Sequence, residues 1–171
     1  MISKKVELLL NQQIAQEAYA SYYYLGMASW CDFHALEGCS QFLYGQSEEE
    51  REHMLKLFNY IVEAGGRALA PGIKQIPKDF KDITNVFKSA LTQEKANTKS
   101  INALVDTCLK EKDYSTFNFL QWYVAEQHEE EMLFQSILDK IKIIGTGGQG
   151  IYMIDREVAK IAASATTKTQ P

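Results

Sequence analysis

Four carboxylates in this chain occupy positions that a core would normally fill with apolar side chains. Read at steps of three and four, one tract gives Leu10, Ile14, Glu17, Ser21, Tyr24, Ala28 and a second gives Leu43, Gln46, Glu50, His53, Leu57, Tyr60. A third gives Phe87, Leu91, Glu94, Thr98, Ile101, Val105, Cys108, and a fourth gives Leu120, Tyr123, Gln127, Glu130, Phe134, Ile137, Ile141. Such spacing keeps each set on one face of a helix, and an apolar row faces a core. A dry, unpaired carboxylate costs several kcal/mol. None of the four rows carries a lysine or arginine to neutralise its acid. Four carboxylates bear a formal charge that two divalent cations cancel. His53 follows Glu50 at i+3, so the two project to the same side and can bind one ion. An oxygen-rich donor set with one imidazole suits iron or manganese better than zinc. One acid on an apolar row is more often paired or out of register, and one histidine is more often a satisfied core residue. Recurrence on four successive rows is what points to cations.

Three further acids flank these rows. Glu49 precedes Glu50, and Glu126 and Glu129 precede Gln127 and Glu130. Each is rotated by about 100° from its row, the angle between consecutive helical residues. They form either a solvated acidic face or a weaker third cation position. Tyr24 lies two turns beyond Glu17 on the same row and is the candidate for a redox role. Trp122 borders the fourth row and reads as packing.

The elements that must position these residues are long helices. Residues 4–33 read as the first, with Ser3 as N-cap. Residues 36–64 read as the second, ended by Gly65 and Gly66. Residues 65–82 hold both interior prolines and three glycines and read as a loop. A 30-residue helix is roughly 45 Å long, and eighteen extended residues reach at most about 60 Å. The loop can therefore run the length of a bundle and start the third helix, 83–110 with Asp82 as cap, at the same end as the second. A turn at Asp113 leads to the fourth helix, 114–143. After a glycine-rich break, residues 151–162 form a short fifth helix with Ile151, Ile154, Val158 and Ile161 on one side. Its apolar side needs burial, against its own bundle or a neighbour. The final TTKTQP reads as frayed. The expected fold class is all-α, a four-helix bundle with a long second-to-third crossover and a short C-terminal helix, as one domain spanning 1–171.

Composition narrows the function classes. The chain has 171 residues, a net charge of −4 and three cysteines, Cys31, Cys39 and Cys108, without a C-x-x-C pair. The acidic balance argues against nucleic-acid or anionic-membrane binding. No apolar run reaches about 18 residues, so no membrane span is expected. The sparse cysteines and the brief N-terminal apolar run suggest a reducing compartment without a secretory signal, and hence the cytoplasm.

The pattern resembles the ferritin-like di-iron bundle, in which glutamates and Glu-x-x-His pairs project into the bundle core. More narrowly it is similar to bacterial non-haem ferritins, on the segments EEEREHM (48–54) and NFLQWYVAEQHEEE (118–131). That resemblance implies that Glu17, Glu50 and His53 bind one iron, and Glu50, Glu94 and Glu130 a second, with Gln127 beside it. It implies a third iron site from Glu49, Glu126, Glu129 and Glu130, and places Tyr24 near the centre. It further implies ferroxidation, with Fe(II) oxidised by dioxygen or hydrogen peroxide, and storage of ferric mineral inside a homo-oligomeric shell of 24 subunits. Where the general motif has a second Glu-x-x-His, this chain has Gln127-x-x-Glu130, so an imidazole would serve only one iron. That asymmetry suits iron in transit better than a fixed cofactor. Haem-binding relatives carry methionine after the second-helix ligand; Arg51 stands there, so no haem is expected. A rubrerythrin-type di-iron peroxidase is the alternative, but such enzymes add a four-cysteine site that three cysteines cannot build. DNA-protecting mini-ferritins place their metal between subunits, whereas these ligands belong to one bundle.

Overall fold

The computed structural model describes residues 2–168. Helix α1 spans Lys4–Phe33, and the Ser3 hydroxyl accepts from the Val6 amide at 3.3 Å. Helix α2 spans Glu37–Glu63 and α3 spans Ile83–Lys110, with Asp82 accepting from the Asn85 amide at 2.7 Å. These bounds agree with the sequence expectation to within one residue. No strand occurs among the described residues.

The fourth bundle helix differs from expectation by being two segments. Helix α4 spans Tyr114–Phe119 and α5 spans Gln121–Ile144, with a break at Leu120. The Tyr123 amide bonds the Leu120 carbonyl three residues back at 3.0 Å, a local tightening of the helix. The Gln121 side chain donates to the Phe117 carbonyl at 2.9 Å, serving a group exposed by that step. Leu120 itself is buried.

The crossover from 65 to 82 is irregular throughout. It runs along α1 in register. The Asn11 amide donates to the Arg67 carbonyl at 3.0 Å, and the Leu69 amide donates to the Asn11 side-chain oxygen at 2.7 Å. Further along, Ile76 packs so closely on Gly26 that an added Cβ would lie 3.0 Å from it. At the far end the Trp30 indole donates to Asp79 at 2.8 Å. Asn11 and Trp30 are roughly 28 Å apart on a helix, so the loop carries the chain the length of α1 and starts α3 beside the beginning of α2.

The last helix, α6, spans Gln149–Lys168, longer than expected at both ends. Part of the segment expected to fray is therefore helical, and residues 169–171 lie outside the described residues. Ile154 and Val158 are buried against the chain's own bundle, while Ile151 stays exposed at 36%. The Asp155 carboxylate accepts from the amides of Gly38 and Cys39 at 3.1 and 2.8 Å. It thus caps α2, whose own N-cap residue, Leu36, supplies no side-chain bond.

The interior divides into two apolar clusters. One gathers Met27, Leu43, Phe87, Phe134 and the buried face of α6, and the other gathers Leu10, Leu57, Leu104 and Leu120. Between them lies a belt of buried polar residues that includes Gln13, Glu17, Glu50, His53, Glu94, Asn97, Gln127 and Glu130.

Candidate metal centre

All four row carboxylates are interior: Glu17 and Glu94 are fully buried, Glu50 is 2% exposed and Glu130 is 5% exposed. They come from α1, α2, α3 and α5, each facing the same belt. Donor atoms of Glu17, Glu50 and His53 all lie within 4.8 Å of one another. His53 Nδ1 stands 3.6 Å from Glu50 and 4.0 Å from Glu17. These distances would suit ion pairs, but burial holds the His53 imidazolium below its ordinary range despite the Glu17 charge. The ring is therefore neutral near pH 7, which is the form that binds a metal.

The hydrogen bonds leave specific atoms unused. Glu17 Oε2, Glu50 Oε2, His53 Nδ1, Gln127 Oε1 and Glu130 Oε2 are all buried without a hydrogen-bond partner. Buried polar atoms are nearly always paired, so this many orphans in one belt marks a place where a cation fits. Burial, then the Glu17 charge, pushes the Glu50 carboxyl well above the usual carboxylate range. Burial, then the charges of Glu49, Glu94 and Glu126, pushes Glu130 up to about 9. Glu94 rises to about 7 through burial, although hydrogen bonds from Tyr24 and Gln127 offset part of that. The Tyr24 phenol, pushed well above its ordinary value by burial, stays protonated and donates to Glu94.

Glu94 and Glu130 stand outside the tight group. Glu94 is instead drawn to Tyr24 and to Gln127, whose amide donates at 3.0 Å. Of the three flanking acids, Glu49 and Glu126 form a second donor group with His53. Glu49 is pushed up to about 7, first by burial and then by the Glu126 charge. Glu129 is exposed and belongs to neither donor group.

Several residues near the belt escape sequence reading. The Gln13 amide bridges Glu17 and Asn97, from one turn before Glu17 on the same helix. Its position at i−4 was a usable signal; Asn97, one residue off its row, offered none. Tyr123 lies on the fourth row and reads as apolar, yet its hydroxyl is buried and unpaired. Trp122 packs flat on Tyr123 with ring centroids 4.5 Å apart, and Lys56 sits 3.5 Å over its ring. The three cysteines are free and buried.

The model of the ferritin-like domain family matches residues 7–144, which include every one of these side chains. The chain belongs to the ferritin family. A relative from Campylobacter jejuni named bacterial non-heme ferritin is 48% identical over 164 residues, covering 96% of this chain and 98% of its own. One of the same name from Escherichia coli is 39% identical over 152 residues, covering 89% and 92%. The open pore ferritin of Archaeoglobus fulgidus superposes with a TM-score of 0.90 at 38% identity, covering 93% of this chain and 98% of that one. The chain thus shares its fold with that ferritin over nearly its whole length. Among the described residues no helix is long and apolar enough to cross a membrane.

Proposed function

We propose that this chain is an iron-storage ferritin with ferroxidase activity, oxidising Fe(II) within the polar belt and passing it to a ferric mineral in a hollow homo-oligomeric shell. Family membership supports the storage reading. The observation that carries the chemistry is the set of buried carboxylate, imidazole and amide atoms left without partners around one belt. Ionised, four carboxylates in a dry interior repel one another, and bound cations relieve that repulsion.

In this reading Glu17, Glu50 and His53 hold the first Fe(II). Glu50 also faces the second, which Glu94 and Glu130 hold with Gln127 alongside. Carboxylates stabilise the higher charge of Fe(III) as dioxygen or hydrogen peroxide takes the electrons. Tyr24 donates a hydrogen bond to Glu94, and in this reading it also takes part in the redox step. The amide of Gln127 gives the second position a neutral ligand field where a carboxylate would bind more tightly, which favours release. Glu49 and Glu126, sharing His53, form the third position, with Glu130 on its border; Glu129 reaches it only by turning inward. The whole chain, 1–171, serves as one ferritin-like domain in the cytoplasm, and 24 copies form the shell.

Size-exclusion chromatography with iron loading tests this. The expected result is a large assembly that takes up far more iron than its metal centres can hold. A monomer or small oligomer that retains two irons per chain and forms no mineral would overturn the storage reading.

A further inference from the structure

A notch opens between α3 and α5. It encloses about 300 Å³, with Thr98, Ile101, Asn102, Gln127, His128 and Glu131 among its walls. Its floor is Gln127, only 1% exposed, with Oε1 buried and unpartnered. The other end of that amide donates to Glu94 at 3.0 Å and approaches Thr98 Oγ1 at 3.4 Å. The Thr98 hydroxyl in turn donates to Glu131 Oε1 at 2.6 Å. One line of side chains thus leads from a surface carboxylate to a buried one. His128 lies at i−3 from Glu131 on α5, so both edge the same opening. Among the lining residues there is no lysine or arginine. The His53 end of the centre is different: Trp122 covers it and the Lys56 ammonium lies over that ring.

We propose that this notch is an entry site for divalent cations, captured at its rim by Glu131 and His128 and passed to Glu94 across Gln127. The inference rests on the metal-centre reading above and deepens it. A cation at the rim meets a carboxylate already oriented by Thr98 and a nearby imidazole. The orphan Oε1 of Gln127 offers the next oxygen, and Glu94 the one after. Passage requires only that the Gln127 amide turn, exchanging its donor contact with Glu94 for an oxygen contact with the ion. No bond is made or broken beyond coordination.

The test uses the full-length assembly and Fe(II) itself. Stopped-flow oxidation at less than one Fe(II) per chain is compared for wild type, the double variant Glu131→Gln/His128→Ala, and Asn102→Trp. The first variant removes the capture groups; the second fills the exposed rim and leaves every charge in place. The double variant should lower the apparent second-order rate constant by about tenfold, the low end of electrostatic focusing effects, Asn102→Trp should lower it by obstruction, and both should retain the final amplitude. The wild-type rate should fall with ionic strength and the double variant should lose that dependence. Equilibrium titration with Co(II), read from its visible bands, should give the same stoichiometry in all three. Wild-type rate constants in both variants would overturn the proposal, as would slowing confined to Glu49→Gln, which would put entry at the Glu49–Glu126 side. If wild type binds no Co(II) at all, the metal centre itself is refuted and the entry site falls with it.

Discussion

Burial and the charges of Glu49, Glu94 and Glu126 push the Glu130 carboxyl from 4.5 up to about 9. A group whose pKa is raised on folding contributes stability that is complete below its unfolded value and is lost as pH rises through the folded one. Glu94 and Glu49, each raised to about 7, act with the same sign. Metal-free protein should therefore melt at progressively lower temperature as pH rises from about 4.5 to about 9, as calorimetry would show. Glu130→Gln keeps the shape and removes the titration. At neutral pH it should stabilise the metal-free fold by about 3 kcal/mol, and a denaturant melt showing no gain would contradict the assigned burial cost. Cation binding near neutral pH must displace the proton on Glu130, so an unbuffered solution should acidify when Co(II) is added. Glu50 answers a different question. In the proposed centre it lies between the two metal positions, so Glu50→Ala should slow Fe(II) oxidation by about a hundredfold or more, beyond what losing an outer partner of a metal ligand costs. Stopped-flow rates at the wild-type level would remove Glu50 from the centre.

Among the elements, the helix boundaries were legible because caps announce themselves: Ser3 and Asp82 both bond the amides their positions imply. The four inner rows were legible because burial is periodic, and nearly every member of those rows is interior. What stayed hidden depends on partners distant in sequence. Nothing near Leu36 reveals that α2 is capped by Asp155, more than a hundred residues later. The break at Leu120 leaves the apolar spacing intact, so periodicity passes through it unmarked. The bonds from Gln13 to Asn97 and from Thr98 to Glu131 likewise need the folded geometry. The Asp155 cap makes a clear prediction. Asp155→Ala should cost about 1–2 kcal/mol, as loss of a cap does, and should loosen α6 before the bundle. Faster proteolytic cutting between α5 and α6, with Fe(II) oxidation unchanged, is the expected readout. Gly38 belongs to the same joint: a Cβ there would collide with the Asp155 carbonyl and come within 2.8 Å of Ala159.

At the scale of the molecule, two apolar clusters supply cohesion while the belt between them opposes it whenever it is empty and ionised. A cation that binds only the folded chain adds about 2.7 kcal/mol at a hundredfold excess over its dissociation constant. Co(II) should accordingly raise the melting temperature, more at high pH, where it relieves charge repulsion, than at low pH, where protons already do so. Glu50→Ala should lose most of that increment. The expected fold class followed from the rows and the crossover together. The direction of α3 in particular follows from loop length, and the clasps at Asn11 and Trp30 show how the loop uses it.

The belt also straddles the chain's two halves unequally. The tight group of Glu17, Glu50 and His53 is complete by residue 53, whereas Glu94, Gln127 and Glu130 belong to the later helices. At ordinary rates of protein synthesis the interval between His53 and Glu130 is roughly 4–15 s. A nascent chain thus owns the three groups of the proposed first metal position before it owns the walls that keep water from them. An ion met at that stage would be held on an open hairpin, in exchange with solvent, and the arrival of α3 and α5 would convert a loose chelate into a sealed one.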